Sequence, residues 1–173
     1  MHVEAHNAVA RMADKLGLLD VPLVGLDLGG ADHNGSARSV FRDDVKWTGL
    51  DPFGGPGIDI VADAKTWVPD KAYDIVLCTE VLEHVQGWDG ILVTAQKALK
   101  PGGFLLLTCA SIDRPRHGAY GDPVPAEGEW YLNVDPVQLA MAFRILFAEH
   151  DVEYAFPPGD AYAWGRKWSR GDA

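Results

Sequence analysis

The sequence holds only two cysteines, Cys78 and Cys109, each inside an apolar run. No histidine or second cysteine stands beside either at ligand spacing. Two buried free thiols in a reducing compartment are expected, with a disulfide or metal pair as the minor alternative. No window approaches the roughly 18 apolar residues that a membrane-spanning helix needs. The opening Met1-His2-Val3-Glu4-Ala5-His6 lacks a basic start before an apolar run, so no signal peptide is expected and the expected location is cytoplasmic. Basic residues are scarce: 15 Lys and Arg stand against 25 Asp and Glu, for a net charge of −10. Phosphate binding draws on clustered Lys and Arg, so neither a broad nucleic-acid footprint nor a membrane is expected as partner. Arg166, Lys167 and Arg170 form a small basic cluster that reads as a solvated tail. Internal repeats, low-complexity tracts and linkers are missing too.

What is present is globular. Of 173 residues, 47% are apolar and 23% charged, enough for one domain with a sizeable core. Val9, Met12, Ala13 and Leu16 recur at helical spacing and predict a helix from about Val3 to Leu19, with Gly17 near its end and Pro22 as its stop. Strands are predicted at Leu23–Leu28, Lys46–Asp51, Ile58–Val61, Tyr73–Cys78 and Phe104–Cys109, then at Val152–Phe156 and Ala161–Arg166. Helices are predicted at Trp88–Leu99 and from Pro136, behind an Asp135 cap, to about Glu149. A short helical stretch is expected near Ala37–Arg42. Such alternation means α/β with a mostly parallel sheet. Ligands of these sheets bind outside the C-terminal strand ends. The loops after Leu28, Asp51, Cys78 and Cys109 are therefore where a site is expected.

Gly29, Gly30 and Ala31 follow the first strand, and small residues there let the backbone approach a ligand closely. The strict G-x-G-x-x-G fingerprint of dinucleotide binding is absent. Asp51 ends the second strand 24 residues after Asp27. A carboxylate there can accept both hydroxyls of a ribose, with a plain Asp-Pro surface turn as the lesser alternative. Asp63 follows the third strand, where a carboxylate can accept from an adenine amino group.

At this point the chain resembles the class I S-adenosylmethionine-dependent methyltransferases, specifically the methyltransferase type 11 group. Val24-Gly25-Leu26-Asp27-Leu28-Gly29-Gly30-Ala31 is similar to their first motif, and Gly49-Leu50-Asp51-Pro52 to their acidic second-strand motif. Val61-Ala62-Asp63-Ala64 is similar to their adenine-contacting segment. Tyr73 to Val85, with Thr79-Glu80-Val81-Leu82-Glu83-His84 at its centre, and Ala98-Leu99-Lys100-Pro101-Gly102-Gly103-Phe104-Leu105 carry the most specific likeness. The resemblance implies a Rossmann-like, doubly wound, mostly parallel seven-stranded sheet with helices on both faces. It implies a single domain over 1–173: an N-terminal helix (1–20), a cofactor-binding half (21–111), and an acceptor loop with the C-terminal half (112–173). It also implies S-adenosylmethionine as cofactor. Gly29, Gly30 and Ala31 would lie against its methionine part and Asp27 near its amino group. Asp51 and Pro52 would meet the ribose, Asp63 and Ala64 the adenine, and Thr79 and Glu80 the sulfonium. Ala31 and His33 stand where the group usually has glycine.

Methyl transfer from a sulfonium is an in-line displacement, in which the protein mainly positions the partners. Where the acceptor is a hydroxyl or protonated amine, a general base contributes about 10²–10⁴-fold. Glu80, Glu83, His84 and His117 are the base candidates, with Glu80, His84 and His117 preferred; Glu83-His84 also reads as a structural pair that caps a helix. Glu80, Glu83, His84 and His117 further resemble the metal-binding set of small-RNA 2′-O-methyltransferases, but no metal is expected. The loop from His117 to Val134, with Tyr120, Trp130 and Tyr131 among Gly and Pro, reads as a lid over the acceptor site. The expected acceptor is a small molecule or carbohydrate-like compound. A non-catalytic or cofactor-free protein of this fold is the main alternative, ahead of a metal-dependent RNA methyltransferase or a nicotinamide oxidoreductase.

Overall fold

The computed structural model describes residues 2–172. Helix α1 (Val3–Lys15) buries Ala5, Ala8, Val9, Met12 and Ala13 along one face. It starts at His2, whose side chain accepts the Ala5 N–H. It stops earlier than the Pro22 signal, at Gly17. That residue adopts φ +68, its N–H reaches the Asp14 carbonyl, and the Leu18 N–H reaches Ala13. This is a Schellman cap, which a glycine admits without Cβ strain.

The sheet contains β1 (Val24–Leu28), β2 (Lys46–Asp51), β3 (Ile60–Val61), β4 (Tyr73–Thr79), β5 (Leu99–Ala110), β6 (Glu149–Ala155) and β7 (Asp160–Arg166). Their spatial order is β3-β2-β1-β4-β5-β7-β6. The first five run parallel, and β7 is antiparallel to both its neighbours. The predicted seven-stranded, mostly parallel sheet is therefore the observed one. Strand β5 begins five residues early, because Leu99 already pairs with Tyr73 before Ile75 pairs with Phe104. The Lys100-Pro101-Gly102-Gly103 turn is thus a bulge inside the strand. Strand β6 begins at Glu149 and α3 ends at Leu146, so the chain leaves the helix sooner than the apolar pattern suggested.

Strand alternation sorts side chains into two layers. Ile75 and Leu77 of β4 join the core beneath α1 and the short turn Ala37–Val40. Val76 and Cys78 join the opposite core with α2 (Asp89–Ala98) and α3 (Pro136–Leu146). Leu92, Leu139 and Phe143 are fully buried there. Each such side chain contributes roughly 1.5–3 kcal/mol. Both cysteines are buried and free, as expected. Two of the three tail cations are used internally: Arg166 pairs with Glu149 and Asp172, and the Lys167 ammonium donates to the Lys97 and Leu99 carbonyls at the end of α2. The strand order reverses direction between β1 and β4, and a crevice opens at their C-terminal ends.

Candidate active site

The crevice begins at the turn after β1. Gly29 takes φ +72, and the Gly29 N–H donates to the Leu50 carbonyl, which stitches the turn to β2. A Cβ on Gly30 would lie 2.5 Å from Asp27 Cγ and 2.7 Å from the Arg38 guanidinium, so only glycine fits. Asp27, Gly29, Gly30, Ala31, Thr79 and Glu80 line an open cleft. Six of the sequence-predicted positions thus converge. His33 also lines it but is exposed, with its ring edge-on to Tyr120 at 4.9 Å.

Asp27 is buried. Its Oδ2 accepts from Arg38 Nε at 2.8 Å, while its Oδ1 has no hydrogen-bond partner. Burial raises its pKa to about 6 against the pull of Arg38. Arg38 sits on the turn that Ser36 caps, and its guanidinium also donates to the Gly30 and Gly57 carbonyls. Through these bonds Arg38 ties the first loop to the loop after β2.

A second, larger cavity adjoins the first. Glu80, Asn34 and Ala119 line both, while His84, His117 and Arg114 line only the second. Glu80 adopts φ +57, a left-handed conformation that its surroundings must enforce. Its carboxylate accepts from Thr108 Oγ1 at 2.8 Å and from His2 Nε2 at 3.0 Å. The same imidazole lies 3.1 Å from Asp160, which pairs with Arg114. Burial pulls His2 down, but the bonds to Asp160 and Glu80 outweigh it and lift its pKa to about 10. Burial would raise Glu80, yet His2 and Thr108 hold it below its usual range. The two therefore form a charged pair at the junction of the cavities.

His84 lies under the loop that follows β5. Burial and the neighbouring His117 lower its pKa to about 4. His117 stacks edge-on to His84 at 5.2 Å, and Tyr131 contacts both rings. His117 Nδ1 lies 3.1 Å from the Pro115 carbonyl and 3.2 Å from the Tyr131 hydroxyl, and its Nε2 faces Glu83 Oε1 at 4.0 Å. Burial and the charge of Glu80 push Glu83 well above the carboxylate range.

The remaining predicted positions stand apart from the cleft lining. Asp51 ends β2 half-buried, with Oδ1 accepting the Phe53 N–H. Pro52 is exposed. Asp63 is exposed and accepts the Lys65 N–H. The Ala64 side chain belongs to the core beneath.

A family model described as a methyltransferase domain matches residues 1–144. The chain belongs to the methyltransferase-domain family. No curated protein matches it by sequence. Among solved structures it is similar to 1,6-didemethyltoxoflavin-N1-methyltransferase of Burkholderia thailandensis, with 1,6-didemethyltoxoflavin and S-adenosylhomocysteine bound. That match has a TM-score of 0.69 at 16% identity, covering 96% of this chain and 79% of the other. The DhpI–SAH complex gives 0.66 at 19%, covering 96% and 86%. N-methyltransferase NodS of Bradyrhizobium japonicum WM9 gives 0.63 at 16%, covering 96% of each chain. At these identities the likeness establishes the fold.

In this methyltransferase domain the segment between β5 and α3 is tied to itself and to the cleft edge. Its ends meet at the Ser111–Val134 bridge. The Glu129 carboxylate accepts the Ala119 and Ala126 N–H groups, and the Asn34 amide donates to the Tyr120 carbonyl across the cleft mouth. Sequence reasoning missed His2, Arg38, Arg114 and Asp160. None sits in a motif; each reaches the site only because the fold brings distant segments together.

Proposed function

We propose that this methyltransferase domain binds S-adenosylmethionine and moves its methyl group to a small-molecule or carbohydrate-like acceptor in the cytoplasm. The observation that carries the reading is the buried, unpartnered Oδ1 of Asp27 beneath a glycine-lined cleft. An orphaned buried carboxylate oxygen calls for a cation, and an amino-acid ammonium fits beside a turn of Gly29, Gly30 and Ala31 that leaves the backbone open. S-adenosylhomocysteine in two solved structures of the same fold supports the same ligand. Asp51 and Pro52 would hold the ribose. Asp63 and the backbone of Ala64 would meet the adenine, and Thr79 the sulfonium end.

When bound, the cofactor supplies an electrophilic methyl on a cationic sulfur. The protein supplies position and charge. Glu80 stands where the two cavities meet and keeps its negative charge through His2 and Thr108, beside the place a sulfonium would occupy. His84, held neutral, and His117 line the second cavity and are the groups placed to meet the acceptor. The protein is tested by incubating it with S-adenosylmethionine and fractionated small-molecule pools and measuring S-adenosylhomocysteine release. Release above the acceptor-free control, lost in Asp27→Asn, supports the reading. No release from any fraction, together with no cofactor binding, overturns it.

A further inference from the structure

We propose that Glu83, His84 and His117 form a site for a divalent first-row transition-metal ion in the wall of the acceptor cavity. The proposal rests on the reading of that cavity as the acceptor site, and it departs from the sequence expectation of no metal. One ligand atom from each of the three residues lies within 4.8 Å of the other two. Glu83 Oε1 stands 4.0 Å from His117 Nε2. Ligand atoms about 2.0–2.2 Å from an ion lie roughly 3–3.5 Å apart, so the three need draw together by only about an ångström.

The second observation concerns what these residues lack. Glu83 is fully buried, yet its Oε2 has no hydrogen-bond partner; His84 Nδ1 is buried and unpartnered as well. Two unsatisfied buried polar atoms on adjacent residues are costly in a native interior. A proton on Glu83 does not by itself settle this, because no partner for Oε2 lies within hydrogen-bond distance. An ion held by the two side chains would supply the missing partner. The outer contacts also suit ligands: the Ala110 N–H fixes Glu83 Oε1, and the Pro115 carbonyl and Tyr131 hydroxyl lie against His117 Nδ1, which leaves Nε2 for the ion.

The neighbouring cluster of His2, Glu80 and Asp160 makes the contrast. Its ligand atoms are equally close. There, the His2 imidazolium bridges both carboxylates, and none of the three residues carries an unpartnered buried atom. The cation of that cluster is the protonated His2. Glu80 is thereby committed and stays outside the metal set.

Two imidazoles and one carboxylate suit zinc, manganese, iron(II) or cobalt(II) better than magnesium or calcium. Three protein ligands leave open positions, and His84 and His117 line the acceptor cavity, so those positions face an acceptor. The acceptor class this favours is a hydroxyl-bearing small molecule. Its oxygen binds the ion, and its O–H proton passes to solvent at lowered pKa. The oxygen then bonds the methyl carbon as the carbon–sulfur bond breaks with its electron pair onto sulfur.

The full chain, stripped with chelator, is titrated with Zn²⁺, Co²⁺ and Mg²⁺ by calorimetry, with the visible spectrum of Co²⁺ as a second readout. One equivalent of Zn²⁺ or Co²⁺ binding well above Mg²⁺ is expected. His117→Ala and Glu83→Gln should each weaken it roughly tenfold or more, while His150→Ala, on the exposed surface, leaves it unchanged. Should Glu83→Gln fail to fold by circular dichroism, His117→Ala on the loop decides. No saturable binding, or binding indifferent to His117→Ala, overturns the proposal. S-adenosylhomocysteine titrated in parallel separates the two readings: its binding without metal binding sinks the metal site alone, and the reverse sinks the cofactor reading alone.

Discussion

Asp27→Asn should raise stability while weakening cofactor binding. A folded carboxyl with pKa about 6, against 3.8 ordinarily, binds protons that the unfolded chain has released. Its contribution to stability is therefore full below pH 3.8 and lost as pH rises through 6. Above pH 6 the ionised group costs the fold about 3 kcal/mol. Asparagine keeps an oxygen for the Arg38 Nε–H at this site but carries no charge. After allowance for the weakened Arg38 pair, the variant gains about 1–3 kcal/mol near pH 7.5. For a domain of this size that is a Tm rise of about 2–10 °C, and it vanishes below pH 4. The same change removes the charged partner for an ammonium, so S-adenosylhomocysteine affinity falls by about 10–100-fold. Thermal melts by circular dichroism across pH 4–8, with calorimetric titration at pH 7.5, read both. A variant less stable than the parent at pH 7.5 with unchanged affinity would refute the argument.

Asp51→Ala should weaken S-adenosylhomocysteine binding by about 1.5–3 kcal/mol without altering the fold; calorimetry that finds equal affinity removes Asp51 from the ribose site. His2, with its pKa lifted to about 10, contributes stability that is complete below pH 6.5 and lost as pH rises through 10. Its replacement by alanine should cost about 2 kcal/mol at pH 7 and much less at pH 10.5, and urea melts showing the same loss at both values would contradict this. Gly30→Ala should cost about 1–3 kcal/mol by crowding Asp27 and Arg38, read as a lower urea midpoint; a neutral result would show that the turn can open. If the segment between β5 and α3 closes over bound cofactor, S-adenosylhomocysteine should slow its limited proteolysis, and equal cleavage rates would argue against a lid.

How much of this was legible follows from where each signal lives. The turn at Gly29-Gly30, the β2 end at Asp51 and the run from Thr79 to His84 were readable because each combines a strand period with a local break. The α1 end was misplaced because Pro22 is a louder stop than Gly17, although the left-handed cap acts first. The early start of β5 was hidden because a proline and two glycines read as a turn, whereas here they bulge out of a continuing strand. Arg38 and His2 were invisible for a different reason. Arg38 meets Asp27 across a turn, and His2 meets Glu80 over 78 residues of chain. Such partners have no sequence period. The unpaired oxygens of Asp27 and Glu83, which carry the two main inferences, are properties of packing and could be found only in the fold.

The most direct test of the central claim is calorimetric titration of the full chain with S-adenosylhomocysteine, with NAD as the comparison ligand. The account predicts one saturable site for S-adenosylhomocysteine, weakened in Asp27→Asn, and no binding of NAD. No heat with the sulfur nucleoside, or a site that ignores Asp27, would contradict it.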